Sequence, residues 1–258
     1  MMGTYWPTWV EINLDNIAHN TKQIKNRVGD SVDIMAVVKG DAYGHGILEV
    51  SSVVLKNGAS KLGIATIDEG ICLRKNGIEA PILILNPILK DSIKAAIKYD
   101  LMLTVFTIEL AKYISEEAIK QFKTAKVNIK INTGMNRFGV DPDLAMSLVK
   151  KIIVLPNIFI EGIFTHLATS YIEEDNSIKQ FSIFTSVIKE LEGEGINIPY
   201  KHCCNTGGIL NFRQMYLNQV RPGVLITTPQ AALKHENNMN IKEAFELKSK
   251  VVYILNSR

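Results

Sequence analysis

Cysteine is scarce in this chain of 258 residues: there are three, Cys72 alone and Cys203 beside Cys204. Adjacent cysteines pair poorly and no CxxC spacing exists, so neither a disulfide framework nor a cysteine zinc site is expected, and a reducing cytoplasm is the simplest setting. No apolar run approaches the roughly 20 residues that span a bilayer. The start, Met1 to Trp9, has no basic stretch followed by an apolar one and does not read as a signal peptide. An excess of one charge is missing too: 29 basic and 26 acidic residues leave a net charge of +3 and are interspersed, so nothing marks a nucleic-acid surface. Among the histidines, His45, His202 and His235 sit in different contexts and show no HxxxH spacing, so no metal site is expected. Internal repeats and low-complexity linkers are also absent.

What is present is ordinary globular material, 47% hydrophobic and 21% charged. Short apolar runs alternate with segments of helical period. The runs are Asp33 to Val38, Leu62 to Thr66, Pro81 to Leu85, Leu101 to Val105, Lys126 to Ile131, Ile158 to Phe164, Tyr200 to Cys204 and Gln219 to Val224. Between them the helical candidates are Leu14 to Lys25, Gly46 to Asn57, Asp68 to Lys75, Leu89 to Tyr99, Thr107 to Phe122, Pro142 to Ile153 and Asn176 to Glu192, with Asp15 and Thr107 as N-caps and Gly77 as a stop. Strands buried on both faces read as unbroken apolar runs, and this alternation specifies a parallel sheet with crossover helices. Eight such pairs in about 220 residues favour a closed (β/α)8 barrel over an open sheet.

In such a barrel the active-site residues lie at the C-terminal ends of the strands, and phosphate sites recur after the seventh and eighth. The first candidate strand ends in Val38-Lys39-Gly40-Asp41-Ala42-Tyr43-Gly44-His45-Gly46, which carries a lysine out of a core into a glycine-rich turn. Desolvation there makes an amine nucleophilic and suits it to a Schiff base, although a lysine at a strand end is also an ordinary surface residue. After the seventh strand, Asn205-Thr206-Gly207-Gly208 offers a hydroxyl and backbone N–H groups to an anion; after the eighth, Arg221-Pro222-Gly223-Val224 offers more. Arg137, beyond Ile131-Asn132-Thr133-Gly134-Met135-Asn136, could pair a carboxylate, and His166 ends the sixth strand.

Together these residues resemble the N-terminal, pyridoxal 5'-phosphate-binding barrel of the alanine racemase family, from Pro7-Thr8-Trp9-Val10-Glu11-Ile12-Asn13-Leu14 to about Tyr253, with the Lys39 segment closely matching the family's cofactor-lysine signature. The resemblance implies a cytoplasmic isomerase that interconverts L- and D-alanine, a peptidoglycan precursor. It implies that Lys39 binds the cofactor covalently and serves as one of two catalytic bases. Tyr43, Thr206, Gly223 and Val224 would hold the phosphate, with Asn205 beside them. Arg221 would face the pyridine nitrogen, and His166 would pack against the ring and orient that arginine. Leu85 would supply apolar contact, and Arg137 would touch the phenolic oxygen. Lys130 matches a lysine that is carbamylated in some members to hold that arginine. The sequence departs at Asn132, where aspartate is usual, at Thr206-Gly207-Gly208, and at Leu225-Ile226-Thr227-Thr228.

The barrel is expected over residues 1–240, and residues 241–258, with the apolar run Lys250 to Leu255 as a strand, are expected to begin the family's C-terminal β-domain. That domain carries the opposite-face base and the family's homodimer contacts. A second reading is a cofactor carrier resembling the single-domain pyridoxal-phosphate homeostasis proteins, and a serine or broad-specificity racemase is a third. The expected partner is a small amino acid, with neither nucleic acid nor membrane.

Overall fold

Apolar runs become buried parallel strands in the computed structural model, which describes residues 6–229 and 239–255. The expected feature at His235 lies outside the described residues. An outlying strand, β1 (Thr8–Ile12), comes first. Eight more follow: β2 (Asp33–Val37), β3 (Lys61–Ile64), β4 (Ile82–Ile84), β5 (Met102–Val105), β6 (Ala125–Lys130), β7 (Ile158–Phe164), β8 (Tyr200–His202) and β9 (Gln219–Val220). They pair in parallel in the order β8-β7-β6-β5-β4-β3-β2-β9. At the seam between β8 and β9 the Arg221 N–H donates to Cys204 O at 2.9 Å and the Lys201 N–H to Asn218 Oδ1 at 2.8 Å, which closes the sheet into a (β/α)8 barrel.

The crossover helices begin where local chemistry satisfies their first N–H groups. Helix Leu14–Val28 is capped by Asn13, whose side chain accepts from the Asn16 N–H at 3.0 Å; the expected cap, Asp15, instead lies in the first turn, where its charge favours the helix dipole. Thr107 caps Ile108–Lys120 as expected. Thr66 and Glu69 form a capping box at Ile67–Lys75. The expected helix Leu89 to Tyr99 is shorter: a 3-10 turn at Lys90–Ser92 leads into Ile93–Lys98. None of the helices among the described residues is long and apolar enough to cross a membrane.

The last strand, β10 (Phe245–Ser249), pairs antiparallel with β1 in the register Thr8↔Ser249 to Ile12↔Phe245. This corrects the expectation of a strand at Lys250 to Leu255. The ladder ends where the Lys250 N–H meets Pro7 O, and Val251 to Leu255 are exposed and join no sheet among the described residues.

Inside the barrel, Met35, Leu83 and Met102 form a small apolar cluster against Leu85. The rest of the interior is polar, with Lys61, Asn128, Lys130, Glu161, His202, Gln219 and Arg221 all buried. Buried polar groups persist where they are bonded or used.

Candidate functional site

A cavity of about 220 Å³ opens at the C-terminal ends of the strands. Lys39, Tyr43, Leu85 and Arg137 line it from the first half of the barrel. His166, Asn205, Thr206, Arg221, Gly223 and Val224 line it from the second. The ten residues expected from the sequence to bind a cofactor therefore line one cavity. Lys130, Tyr171, Asn86 and Phe164 line it too.

Lys39 leaves β2 with its backbone anchored on both sides. The Val38 N–H donates to Gly63 O and the Val37 N–H to Pro222 O, each at 2.8 Å. Four residues then run left-handed, Gly40, Asp41, Ala42 and Tyr43, with φ of 62°, 53°, 53° and 57°. Three of these carry a Cβ, and each such residue costs roughly 1–2 kcal/mol. The turn is held by specific bonds: the Gly40 N–H donates to Glu69 Oε1 at 2.5 Å, and Asp41 Oδ1 accepts from the Ile47 N–H at 2.7 Å. It aims the Tyr43 hydroxyl at Gly223. A Cβ on Gly223 would overlap that hydroxyl and come within 3.1 Å of Tyr43 Cζ. Although 38% of Tyr43 is exposed, its hydroxyl end is packed, and burial with the nearby Tyr171 pushes its pKa up to about 12.

Asn205 caps helix Thr206–Asn211: its Oδ1 accepts from the Gly208 N–H at 3.0 Å and from the Ser170 hydroxyl at 2.7 Å. Its Nδ2 donates to Leu167 O at 3.1 Å and lies 3.3 Å from His166 Nε2. The Thr206 hydroxyl accepts from the Gly223 N–H at 3.3 Å and also bonds Tyr171, joining the loops after β7, β8 and β9. Across the cavity, Asn132 organises the loop that carries Arg137, accepting from the Asn136 N–H at 3.0 Å. The amide nitrogen of the same side chain donates to Asn136 Oδ1 at 3.1 Å.

Arg221 is 3% exposed and donates to Thr165 O at 2.7 Å, Cys203 O at 3.1 Å and His202 Nδ1 at 2.6 Å. The histidine that orients it is therefore His202, not His166. Side chains alternate along a strand, so His202 on β8 faces inward with Tyr200, a parity that was readable once β8 was placed. Desolvation, reinforced by Arg221 and other cations, holds both histidines well below the ordinary value, so both are neutral. Burial also drives Lys130 down to about 7, with repulsion from Arg221 and Arg137 adding to it. Its ammonium lies 4.6 Å from the Phe138 ring centre and 5.0 Å from that of Phe164.

The cavity thus presents Lys39, Lys130, Arg137 and Arg221 with no carboxylate among its described lining residues. Such a wall is built for a polyanionic ligand. A larger cavity, about 320 Å³, lies at the other end of the barrel beside Arg74 and Lys123, but the cationic groups of both are occupied by backbone carbonyls.

The family model described as "Alanine racemase, N-terminal domain" matches residues 12–230. Alanine racemase from Clostridium tetani is 39% identical over 254 residues, which are 97% of this chain and 65% of that protein. Among solved structures, alanine racemase from Clostridium difficile 630 in complex with cycloserine superposes with a TM-score of 0.94 at 33% identity, covering 98% of this chain and 71% of that one. The Bacillus anthracis alanine racemase with bound L-Ala-P gives 0.85 at 33% identity, covering 95% and 64%. The chain spans about 65% of the length of the curated relatives it matches.

Proposed function

Because this chain belongs to the alanine racemase N-terminal-domain family, we propose that its barrel holds pyridoxal 5'-phosphate and serves the interconversion of L- and D-alanine. One observation carries the reading: three cationic side chains, Lys130, Arg137 and Arg221, and an anion cradle with no carboxylate among its described lining residues surround Lys39, which follows β2 into the cavity. The residues fit the group. The Tyr43 hydroxyl, the Thr206 hydroxyl and the Gly223 and Val224 backbone would take the phosphate, and Arg137 the phenolic oxygen. When bound, the cofactor's ring withdraws electrons from the Cα–H bond of an attached amino acid and so acidifies it.

The chain's own residues would do the rest. Lys39 would hold the cofactor covalently and, once released, would remove or return the Cα proton on its own face. Arg221 would face the ring nitrogen. Desolvation lowers its pKa, yet only to about 10, so it stays charged at neutral pH and does not give that nitrogen a proton. Ring electron demand stays moderate, which favours proton exchange over side reactions. Neutral His166 and Leu85 supply packing without adding charge. Lys130, with a pKa near 7, keeps about half of its amine neutral at pH 7 and able to take up carbon dioxide, releasing one proton and giving a carbamate anion that pairs with Arg137. We place the barrel at residues 1–240 and read 241–258 as the start of a further β-domain. The three unbridged cysteines suit a reducing cytoplasm.

Titration of the purified chain with pyridoxal 5'-phosphate should develop a visible absorption band, and borohydride should then trap one adduct on the peptide containing Lys39. No band and no adduct would remove the proposal. Lys39 is the base these residues supply, so residues 1–258 alone should turn L-alanine over weakly or not at all. Gly223→Ala is a narrower check. A φ of −127° is open to alanine, so the obstacle is space, and displacing the Tyr43 hydroxyl should weaken cofactor binding by roughly tenfold or more, about the worth of one charged hydrogen bond. Unchanged affinity would remove Tyr43 from the phosphate site.

A further inference from the structure

We infer that Asn128 is a positioning residue that holds the Arg221 guanidinium in place by fixing the orientation of the His202 ring. Its bearing on turnover rests on the function proposed above. Two of the three bonds from Arg221 run to backbone carbonyls, Thr165 O and Cys203 O, whose places the strands set. The third runs to a side chain, His202 Nδ1 at 2.6 Å, so the aim of Arg221 depends on what holds that ring.

Packing alone does not hold it. His202 is fully buried and stacked on Phe164 with ring centres 5.0 Å apart and planes 1° from parallel. Stacking fixes the plane of an imidazole, but a half-turn about the Cβ–Cγ bond keeps that plane and moves both nitrogens. A polar partner on the far edge distinguishes the two orientations. Arg221 can only donate, so Nδ1 accepts and the ring proton sits on Nε2. That N–H points to Asn128 Oδ1 at 3.3 Å.

The fold makes room for the amide in two ways that strand pairing does not require. The register between β6 and β7 slips between Val127 and Asn128, so that Glu161 is passed over and Asn128 lies opposite Gly162. Gly162 has no side chain, and a Cβ there would overlap Asn128 Oδ1 and sit 2.9 Å from its Cγ. The bulge and the glycine together leave space that Asn128 fills, and the line Asn128–His202–Arg221 then runs from the barrel interior to the cavity wall.

The test is nitrogen-15 NMR of side-chain signals in wild type, Asn128→Leu and Asn128→Asp, without cofactor. In wild type the His202 proton is expected on Nε2, protected from exchange, with resolved Arg221 Nη signals. Asn128→Leu keeps the bulk and removes the acceptor. It should speed exchange of the His202 ring proton by tenfold or more and collapse the Arg221 Nη signals into an averaged set. Asn128→Asp restores an acceptor oxygen and should restore both signatures. Unchanged His202 and Arg221 signals in Asn128→Leu would overturn the inference. If that variant does not fold, a wild-type His202 proton on Nδ1, or averaged Arg221 signals in folded Asn128→Asp, overturns it equally. Because no cofactor is present, failure of the proposed function would leave these readings intact, and the reverse also holds.

Discussion

Lys39→Ala is expected to abolish the visible band, to eliminate the borohydride adduct and to lower any racemisation by about ten-thousand-fold, the upper end of what a positioned base contributes. Two losses coincide in this change: the covalent hold on the cofactor and the proton carrier at Cα. Structural damage should be small. Lys39 is only partly buried, and the backbone on its N-terminal side is tied by the Val37 and Val38 bonds, which alanine keeps. Melting temperature should therefore stay close to that of wild type, separating lost chemistry from lost fold. Lys130 cannot substitute, because it is 3% exposed and enclosed by the Phe138 and Phe164 rings. Lys39→Arg sharpens the result: it keeps the charge but not a nucleophilic amine, and it should fail in the same assays. A retained adduct in either variant would move the covalent role to another lysine.

The second large effect concerns stability. With a pKa near 7 in the fold against about 10.5 when unfolded, Lys130 gives the unfolded chain the greater proton uptake between those values. Stability therefore rises with pH across that window, by about 2 kcal/mol between pH 7 and 9 from this residue alone. Lys61, held near 8 by burial, moves the same way. Above pH 9 the raised Cys204 and Tyr43 oppose this trend, because the unfolded chain then loses protons that the fold keeps. Lys130→Met removes a buried charge, conserves volume and should stabilise the chain at pH 7 by about 2 kcal/mol or more, with a visibly flatter slope from pH 7 to 9. Denaturant melts in bicarbonate-free buffer, where the amine stays uncarbamylated, measure this directly. An identical slope in both proteins would mean that Lys130 is not the group that titrates. In the same bicarbonate-free buffer, below pH 7 where the Lys130 amine is mostly protonated, the variant should bind anions less well, since one of four cavity cations is gone.

Much of this architecture is legible before any coordinates. Unbroken apolar runs such as Ile158 to Phe164 mark strands buried on both faces, and their alternation with helical segments leads to the barrel. The site follows from strand ends, because Lys39, His166 and Arg221 each lie just beyond one and Arg137 sits in the loop that follows β6. What escapes is whatever depends on direction, not position. His166 and His202 both sit at strand ends, and only side-chain parity along β8 tells which of them meets Arg221. Asn128 and Gly162 read as ordinary strand residues, since a bulge between two separated strands leaves no local signal. The final strand is displaced for a related reason: pairing with β1 selects Phe245–Ser249, and the more apolar Val251 to Leu255 find no partner there.

The left-handed run at Asp41, Ala42 and Tyr43 has a consequence for mutational tolerance. A selection for heat resistance that ignored activity would meet glycine at these positions as an easy gain, because glycine occupies that backbone region without steric penalty. Ala42 has the smallest side chain to lose, a single buried methyl, whereas Asp41 is committed to the Ile47 N–H and Tyr43 to the cavity. A laboratory lineage evolved for thermal endurance alone is thus expected to loosen this lip of the barrel first, while a lineage selected for turnover should keep it strained.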